Sequence, residues 1–327
     1  MDMESEMDKS IIPLGGAQPG IWWASRLEGE TCSRFNVARA TIIEGELNRQ
    51  LFDQAVATTI RETDTVRARF IDLGDGIGGQ ILGYHPTKGV DFIKADSMEE
   101  AVQIAKSDRS NPVDLTGEEP LWRMILVQTP ENWVWIQRYH HLLVDGWSIQ
   151  AIASRVAQHY NMLLKGVDAA SNPLNMSFSA IVERDQEYEV SQTCVQDRQY
   201  WVSFLENLDV EVQSESLLVA TEHVHREKIR LSNWDVDTLD KLAKQSGVTW
   251  VDSIVGLLGS WVCINSNTIS CVLGLPWMAR RTSVEARVTG PLVTVLPIHF
   301  SVNPSDTPCD VARNASICGK QARRHGV

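Results

Sequence analysis

The chain has 327 residues, 43% of them hydrophobic, which is enough for one large domain or two ordinary ones. Its 30 Lys and Arg stand against 42 Asp and Glu, a net charge of -12. An acidic chain without a basic stripe or a cationic amphipathic segment is a poor candidate for nucleic acid or an anionic membrane surface. The start, Met1 to Asp8, is acidic and lacks the basic and apolar parts of a signal peptide. The most apolar stretch, Ile254 to Ile264, is interrupted by Gly256, Gly259 and Ser260 and is too short to span a bilayer. Six scattered cysteines (Cys32, Cys194, Cys263, Cys271, Cys309, Cys318) form no C-x-x-C pair and read as reduced, packed thiols in a cytoplasmic protein.

Strands and helices alternate along the chain. Ala38 to Ile43 reads as a strand, and Leu47, Leu51, Phe52, Ala55, Val56 and Ile60 follow at helical spacing. Thr65 to Ile71 and Gly79 to Leu82 read as strands, and Ser97 to Ser107 as a helix with an acidic first turn. Leu121 to Thr129 and Asn132 to His140 are two strands joined through Pro130. Ile149, Ile152, Val156, Tyr160 and Leu163 make one helical face, with Ser148 as the expected N-cap and Gly166 as the stop. The polar segment Gly166 to Ser177, containing Asn172-Pro173, is the expected lobe boundary. Beyond it we expect a helix near Gln192 to Asn207, a strand near Glu227 to Leu231, and helices Asp235 to Gln245 and Val251 to Ile264. Strands near Thr268 to Leu275 and Leu292 to Ser301 complete an α/β pattern of two sandwich-like lobes.

The most informative residues are His140-His141-Leu142-Leu143-Val144-Asp145-Gly146. Side chains alternate along a strand, so the two histidines should point to opposite faces, one into a cavity and one into the wall. Histidine moves protons near neutral pH, and glycine lets backbone approach a reacting group. The bland reading of a strand histidine is a packed, hydrogen-bonded residue; the Asp-Gly, the aromatic strand and the helix that follows weigh against it. Metal binding is the rival, but adjacent strand residues diverge and no third ligand lies nearby. Arg67 and Arg69 are in phase on the predicted strand. One of them is expected to pair with a buried carboxylate, nominated as Asp145; the bland reading is a solvated charged edge.

Order and spacing together resemble the condensation domains of nonribosomal peptide synthetases. The histidine block matches that family's H-H-x-x-x-D-G motif at every fixed position. Gly16-Ala17-Gln18 with Ile21-Trp22 is similar to the opening motif, and Arg61-Glu62 with Val66-Arg67-Ala68-Arg69-Phe70 to the second, where Asp64 is a departure. Thr289-Gly290-Pro291 through Val295-Leu296-Pro297 resembles the later G-P-x-x-N-x-x-P block, with Thr294 replacing Asn. The wording of Ala17 to Trp22 and Gln137 to Gly146 is most similar to aryl-capping domains of enterobactin-type siderophore synthetases.

The resemblance implies two chloramphenicol-acetyltransferase-like lobes with a tunnel between them: a flexible acidic segment 1–10, a histidine lobe 11–170, and a partial second lobe 171–327. It implies amide formation between a carrier-bound acyl or aryl thioester donor and a carrier-bound aminoacyl acceptor. It implies that no cofactor is bound directly, that substrates ride on the phosphopantetheine of donor and acceptor carrier domains, and that an adjacent adenylation domain is a further partner. His141 and Gly146 are the expected catalytic residues, with His140, Asp145 and Arg67 structural at the site and no metal. Trp147, Ser148, Gln18 and Trp22 are candidate tunnel residues, and Arg280-Arg281 and Arg323-Arg324 candidate carrier-docking patches. By this resemblance the chain stops before the closing strands, so a fragment with little activity by itself, or a noncatalytic docking module, is the alternative expectation.

Overall fold

The computed structural model describes residues 11–27, 29, 31–85, 88–167, 177–208 and 227–326. The expected N-terminal segment 1–10 and the Asn172-Pro173 boundary lie outside the described residues. The chain divides into two compact units, one of Met1–Glu189 with Arg280–Val293, the other of Val190–Ala279 with Thr294–Val327. The histidine-bearing unit therefore extends past residue 170 and takes back a segment from late in the chain.

In the first unit, β1 (Ile12–Pro13), α1 (Gln18–Arg26), β2 (Thr31–Cys32), β3 (Asn36–Ile43) and α2 (Arg49–Arg61) come first. Then follow β4 (Arg69–Asp72), β5 (Gly78–Ile81), β6 (Asp91–Lys94), α3 (Met98–Ser110), β7 (Val113–Asp114), β8 (Trp122–Gln128), β9 (Trp133–His140), α4 (Gly146–Leu164) and α5 (Ser179–Glu189). The main sheet runs β3-β9-β8-β6, antiparallel except for the β6–β8 pair. Its register sets Asn36 opposite His140 and Trp122 opposite Tyr139, so the motif leaves the sheet at the end of a central strand. One face packs on α2 and α4 through Phe52, Val56, Trp135, Tyr139, Ile152 and Val156, and the other meets α3 through Ile125, Ile136 and Ala101. β9 is buried on both faces, which is why its sequence runs apolar and aromatic rather than alternating.

Two local expectations change. Residues 64–67 form a turn, with Arg67 N–H donating to the Asp64 carbonyl at 3.1 Å, and the strand begins only at Arg69. The α4 cap is Asp145, whose side chain accepts from Ser148 N–H; Ser148 is already inside the helix. The stop at Gly166 holds, with φ +71°. Helix α5 had only a faint sequence signal, because it buries just Ile181 and Val182.

The second unit contains α6 (Gln192–Glu206), α7 (Asn233–Ser246), α8 (Trp250–Asn265), β10 (Ser270–Trp277), β11 (Thr294–Ser301) and α9 (Pro308–Arg324). Capping boxes at Ser232/Asp235, Thr249/Asp252 and Thr307/Asp310 start its last three helices. Antiparallel β10 and β11 pack Phe300, Leu296 and Ile298 against α8 and α9. Gly256 permits the close approach of α9, since a Cβ there would lie 2.5 Å from the Val311 carbonyl oxygen. Glu227 to Leu231 pairs with no strand among the described residues. No single helix among them is long and apolar enough to cross a membrane.

Candidate active site

The two histidines leave β9 in different environments, as strand alternation demands. His140 is fully buried and held by its own N–H to the Leu121 carbonyl at 2.8 Å. Its Nδ1 accepts the Leu142 N–H at 3.2 Å, so the ring proton sits on Nε2. Burial, reinforced by the neighbouring His141 and Arg138, pushes this imidazole down to about 3. His140 is thus a neutral part of the wall. His141 is half-buried; its N–H donates to the Phe35 carbonyl at 2.8 Å, and its Nδ1 has no hydrogen-bond partner among the described residues.

The next three residues anchor the loop. Leu142, Leu143 and Val144 are each 0% exposed in the main core, where a fully buried aliphatic side chain contributes roughly 1.5–3 kcal/mol. Asp145 then receives bonds from several directions. Ser148 donates its N–H and its hydroxyl, both at 2.8 Å, and the Leu292 and Val293 amides donate at 3.1 and 3.2 Å. Arg280 closes a two-pronged ion pair with Nη1 at 2.7 Å and Nη2 at 3.3 Å, both side chains almost wholly buried. Burial alone would raise the Asp145 carboxyl; Arg280 and Ser148 hold it below the usual carboxylate range.

The arginine that pairs with Asp145 is therefore Arg280 and not Arg67. Arg67 sits in the tight 64–67 turn, and its guanidinium folds back onto the carbonyls of Gly83 (3.1 Å), His85 (3.3 Å) and Arg61 (3.1 Å). The same finding removes Arg280 from the candidate docking patches. Nearby, Asp64 accepts from the Ser177 hydroxyl at 2.5 Å and the Phe178 amide at 3.2 Å, tying the entry of α5 to this turn.

Gly146 is the first residue of α4, and a Cβ built on it would meet nothing within 4 Å. The first α4 bond of the ordinary pattern is Ile149 N–H to the Asp145 carbonyl, so the Gly146 and Trp147 amides precede the helical ladder. Trp147 is 40% exposed, with the Arg280 guanidinium 6.0 Å from its ring centre. The other candidate lining residues are structural. Ser148 is fully buried and accepts the Gly290 amide at 2.9 Å. Trp22 is a core residue whose Nε1–H donates to the Gly76 carbonyl at 3.0 Å. Gln18 is fully buried, with Nε2 donating to the Leu142 carbonyl at 3.0 Å.

Sequence reasoning missed Arg280 and the amides of Gly290, Leu292 and Val293. The Thr289-Gly290-Pro291 block was their one visible signal. Among the described residues no group of three His, Cys, Asp or Glu side chains could hold a metal.

The chain as a whole matches known proteins in sequence and fold. Residues 8–327 match the family model described as Condensation domain. The chain is 30% identical over 320 residues to a dimodular nonribosomal peptide synthase of Bacillus subtilis (strain 168), covering 95% of this chain and 13% of that protein. It is 29% identical over 321 residues to enterobactin synthase component F of Escherichia coli (strain K12), covering 96% and 25%. In three dimensions it matches the first condensation domain of the calcium-dependent antibiotic synthetase with a TM-score of 0.83 at 19% identity, covering 97% of this chain and 75% of that one. A variant starter condensation domain of rhizomide synthetase, solved with C8-CoA, matches with a TM-score of 0.82 at 25% identity, covering 99% and 74%.

The chain belongs to the condensation domain family of nonribosomal peptide synthetases, and its mixed α/β architecture is the acetyltransferase-like fold of that family. It spans 13% and 25% of the length of the two curated relatives. Condensation domains act on substrates delivered by carrier proteins.

Proposed function

We propose that this chain forms an amide bond between an acyl or aryl thioester donor and an aminoacyl acceptor, each on the phosphopantetheine arm of a carrier domain. The single observation that carries the reading is the division of labour between the two histidines. His140 is locked neutral inside the wall, while His141 stays half-buried on a loop pinned by the Asp145–Arg280 pair. Beside it, Gly146 opens onto empty space at a helix start.

In this reading the acceptor amine attacks the thioester carbonyl carbon. A C–N bond forms and the carbonyl oxygen becomes an oxyanion. The C–S bond then breaks, the pantetheine thiol leaves, and the proton lost by nitrogen ends on that sulfur. His141 takes or orients the amine proton. The first-turn amides of α4, at the positive end of the helix dipole, face the developing oxyanion. The similarity to enterobactin synthase component F and to a starter condensation domain solved with C8-CoA supports an acyl or aryl donor. The partners we propose are donor and acceptor carrier domains, with an adenylation domain adjacent. The test is mass spectrometry of the pantetheine arms after mixing the chain with two loaded carriers. A dipeptidyl-type or acyl-aminoacyl product on the acceptor arm is expected. Unchanged arms, with carrier binding retained, would mark the chain as a docking module.

A further inference from the structure

Gln18 has a hydrogen-bond inventory that is completely used. Its Oε1 accepts the Gly15 amide at 3.0 Å and the Gln80 Nε2 at 2.8 Å. Its Nε2 donates to Gln80 Oε1 and to the Leu142 carbonyl, both at 3.0 Å. Gln80 in turn donates to the Pro13 carbonyl at 3.0 Å. Both glutamines are 0% exposed, so none of these bonds competes with water. The pair joins β1, α1 and β5 to a single atom of the histidine loop, the Leu142 oxygen.

That oxygen has a particular place in the chain. An α-helix joins the carbonyl of residue i to the amide of i+4, and the residue four after Leu142 is Gly146. If Leu142 O took the Gly146 N–H, α4 would begin one turn earlier and that amide would be used up inside the helix. In the structure it does not. Asp145 is extended (φ -113°, ψ -178°), and among the described residues no acceptor is bonded to the Gly146 amide. A buried carbonyl left without a donor is costly, so the loop needs another donor for Leu142 O, and Gln18 is that donor.

We propose that Gln18 is a positioning residue: by satisfying the Leu142 carbonyl it stops α4 from starting a turn early and keeps the Gly146 amide available to substrate. The inference rests on the condensation reading for its consequence in catalysis, but not for its effect on the amide itself. Gln18 touches no reacting atom; it acts through Leu142 and Gly146.

The experiment is hydrogen exchange of the Gly146 amide, followed by NMR in protein labelled with 15N-glycine, alongside kcat and KM for amide formation. Gln18→Met keeps the volume and removes both donors. Its Gly146 amide should exchange at least about tenfold more slowly than in the parent, because it becomes helix-bonded. Its kcat should fall by about 10²-fold, the loss typical of one oxyanion-site donor, with KM little changed. Trp22→Phe, which removes a bond from the same helix to the Gly76 carbonyl, is the control; it should lower thermal stability and leave both readouts at parent values. If Gln18→Met does not fold, Gln18→Leu carries the same measurements, since it too removes the donor to the Leu142 carbonyl. Gly146 exchange at the parent rate in the folded variant would overturn the proposal, whatever its activity. A parent that forms no amide would overturn the condensation reading while the exchange comparison still decides the role of Gln18.

Discussion

Arg67 and Arg280 each hold a loop in place, but over very different spans of chain. Arg67 reaches the carbonyls of Arg61, Gly83 and His85, no more than 18 residues away. Arg280 reaches Asp145, 135 residues earlier, and also bonds Ser148 and the Gly290 carbonyl. The first arrangement is a cation folded onto neutral local oxygens at a half-buried turn. The second is a closed ion pair in the interior, where loss of either member strands the other. The loop carrying His141 therefore depends on a contact made late in the chain, whereas the 64–67 turn is held by its own neighbourhood.

Substitutions at the two arginines and at Asp145 should have unequal effects. The largest expected effect is from Asp145→Ala or Arg280→Ala, each of which should lower the unfolding free energy by about 3–5 kcal/mol in urea denaturation. A loss below about 1 kcal/mol would show that the pair is hydrated rather than buried. Arg67→Met should cost less, about 1–3 kcal/mol, because it leaves carbonyls short of a donor while the nearby Asp64 keeps its bonds from Thr65, Ser177 and Phe178. A loss as large as that of Arg280→Ala would erase the distinction.

The loop should also carry a pH signature. His140 stays neutral in the fold down to about 3, while in the unfolded chain a histidine protonates near 6.5. Between those values the unfolded state binds one more proton, so stability falls as pH drops, by up to about 1.4 kcal/mol per pH unit, and is complete above about 6.5. His85, also lowered by burial, acts in the same direction. Replacing His140 by Asn should therefore reduce the acid slope by one proton without abolishing it. An unchanged slope would mean that His140 is accessible to protonation in the fold. The smallest effect belongs to a double-mutant cycle. Asp145 with Arg67 should couple by no more than about 0.5 kcal/mol, whereas Asp145 with Arg280 should couple by roughly 0.5–3 kcal/mol.

The same contrast explains what could be read from the sequence. The opposed histidines, the strand that delivers them and the apolar face of α4 all follow from periodicity, which is local. The Asp145 cap was displaced to Ser148 because both residue types cap helices, and only the backbone shows that Gly146 is already helical. The need for an arginine on Asp145 was legible; which arginine was not. Arg67 was nearer in sequence and part of a recognisable motif, while Arg280 looks like half of an exposed basic pair beside Arg281. Long-range pairing is fixed by where the segment Arg280–Val293 rejoins the first unit, and nothing in local spacing records that. Gln18 was visible as part of a motif, but its burial and its bond to Leu142 required the fold.

We propose that His141, and not His140, serves amide formation on this loop. It is tested most directly by amide-forming rates of the parent and His141→Ala with the same two loaded carriers, with folding verified by circular dichroism. A loss of about 10²–10⁴-fold is expected for His141→Ala with an unchanged fold. Equal rates for the parent and a folded His141→Ala would contradict it.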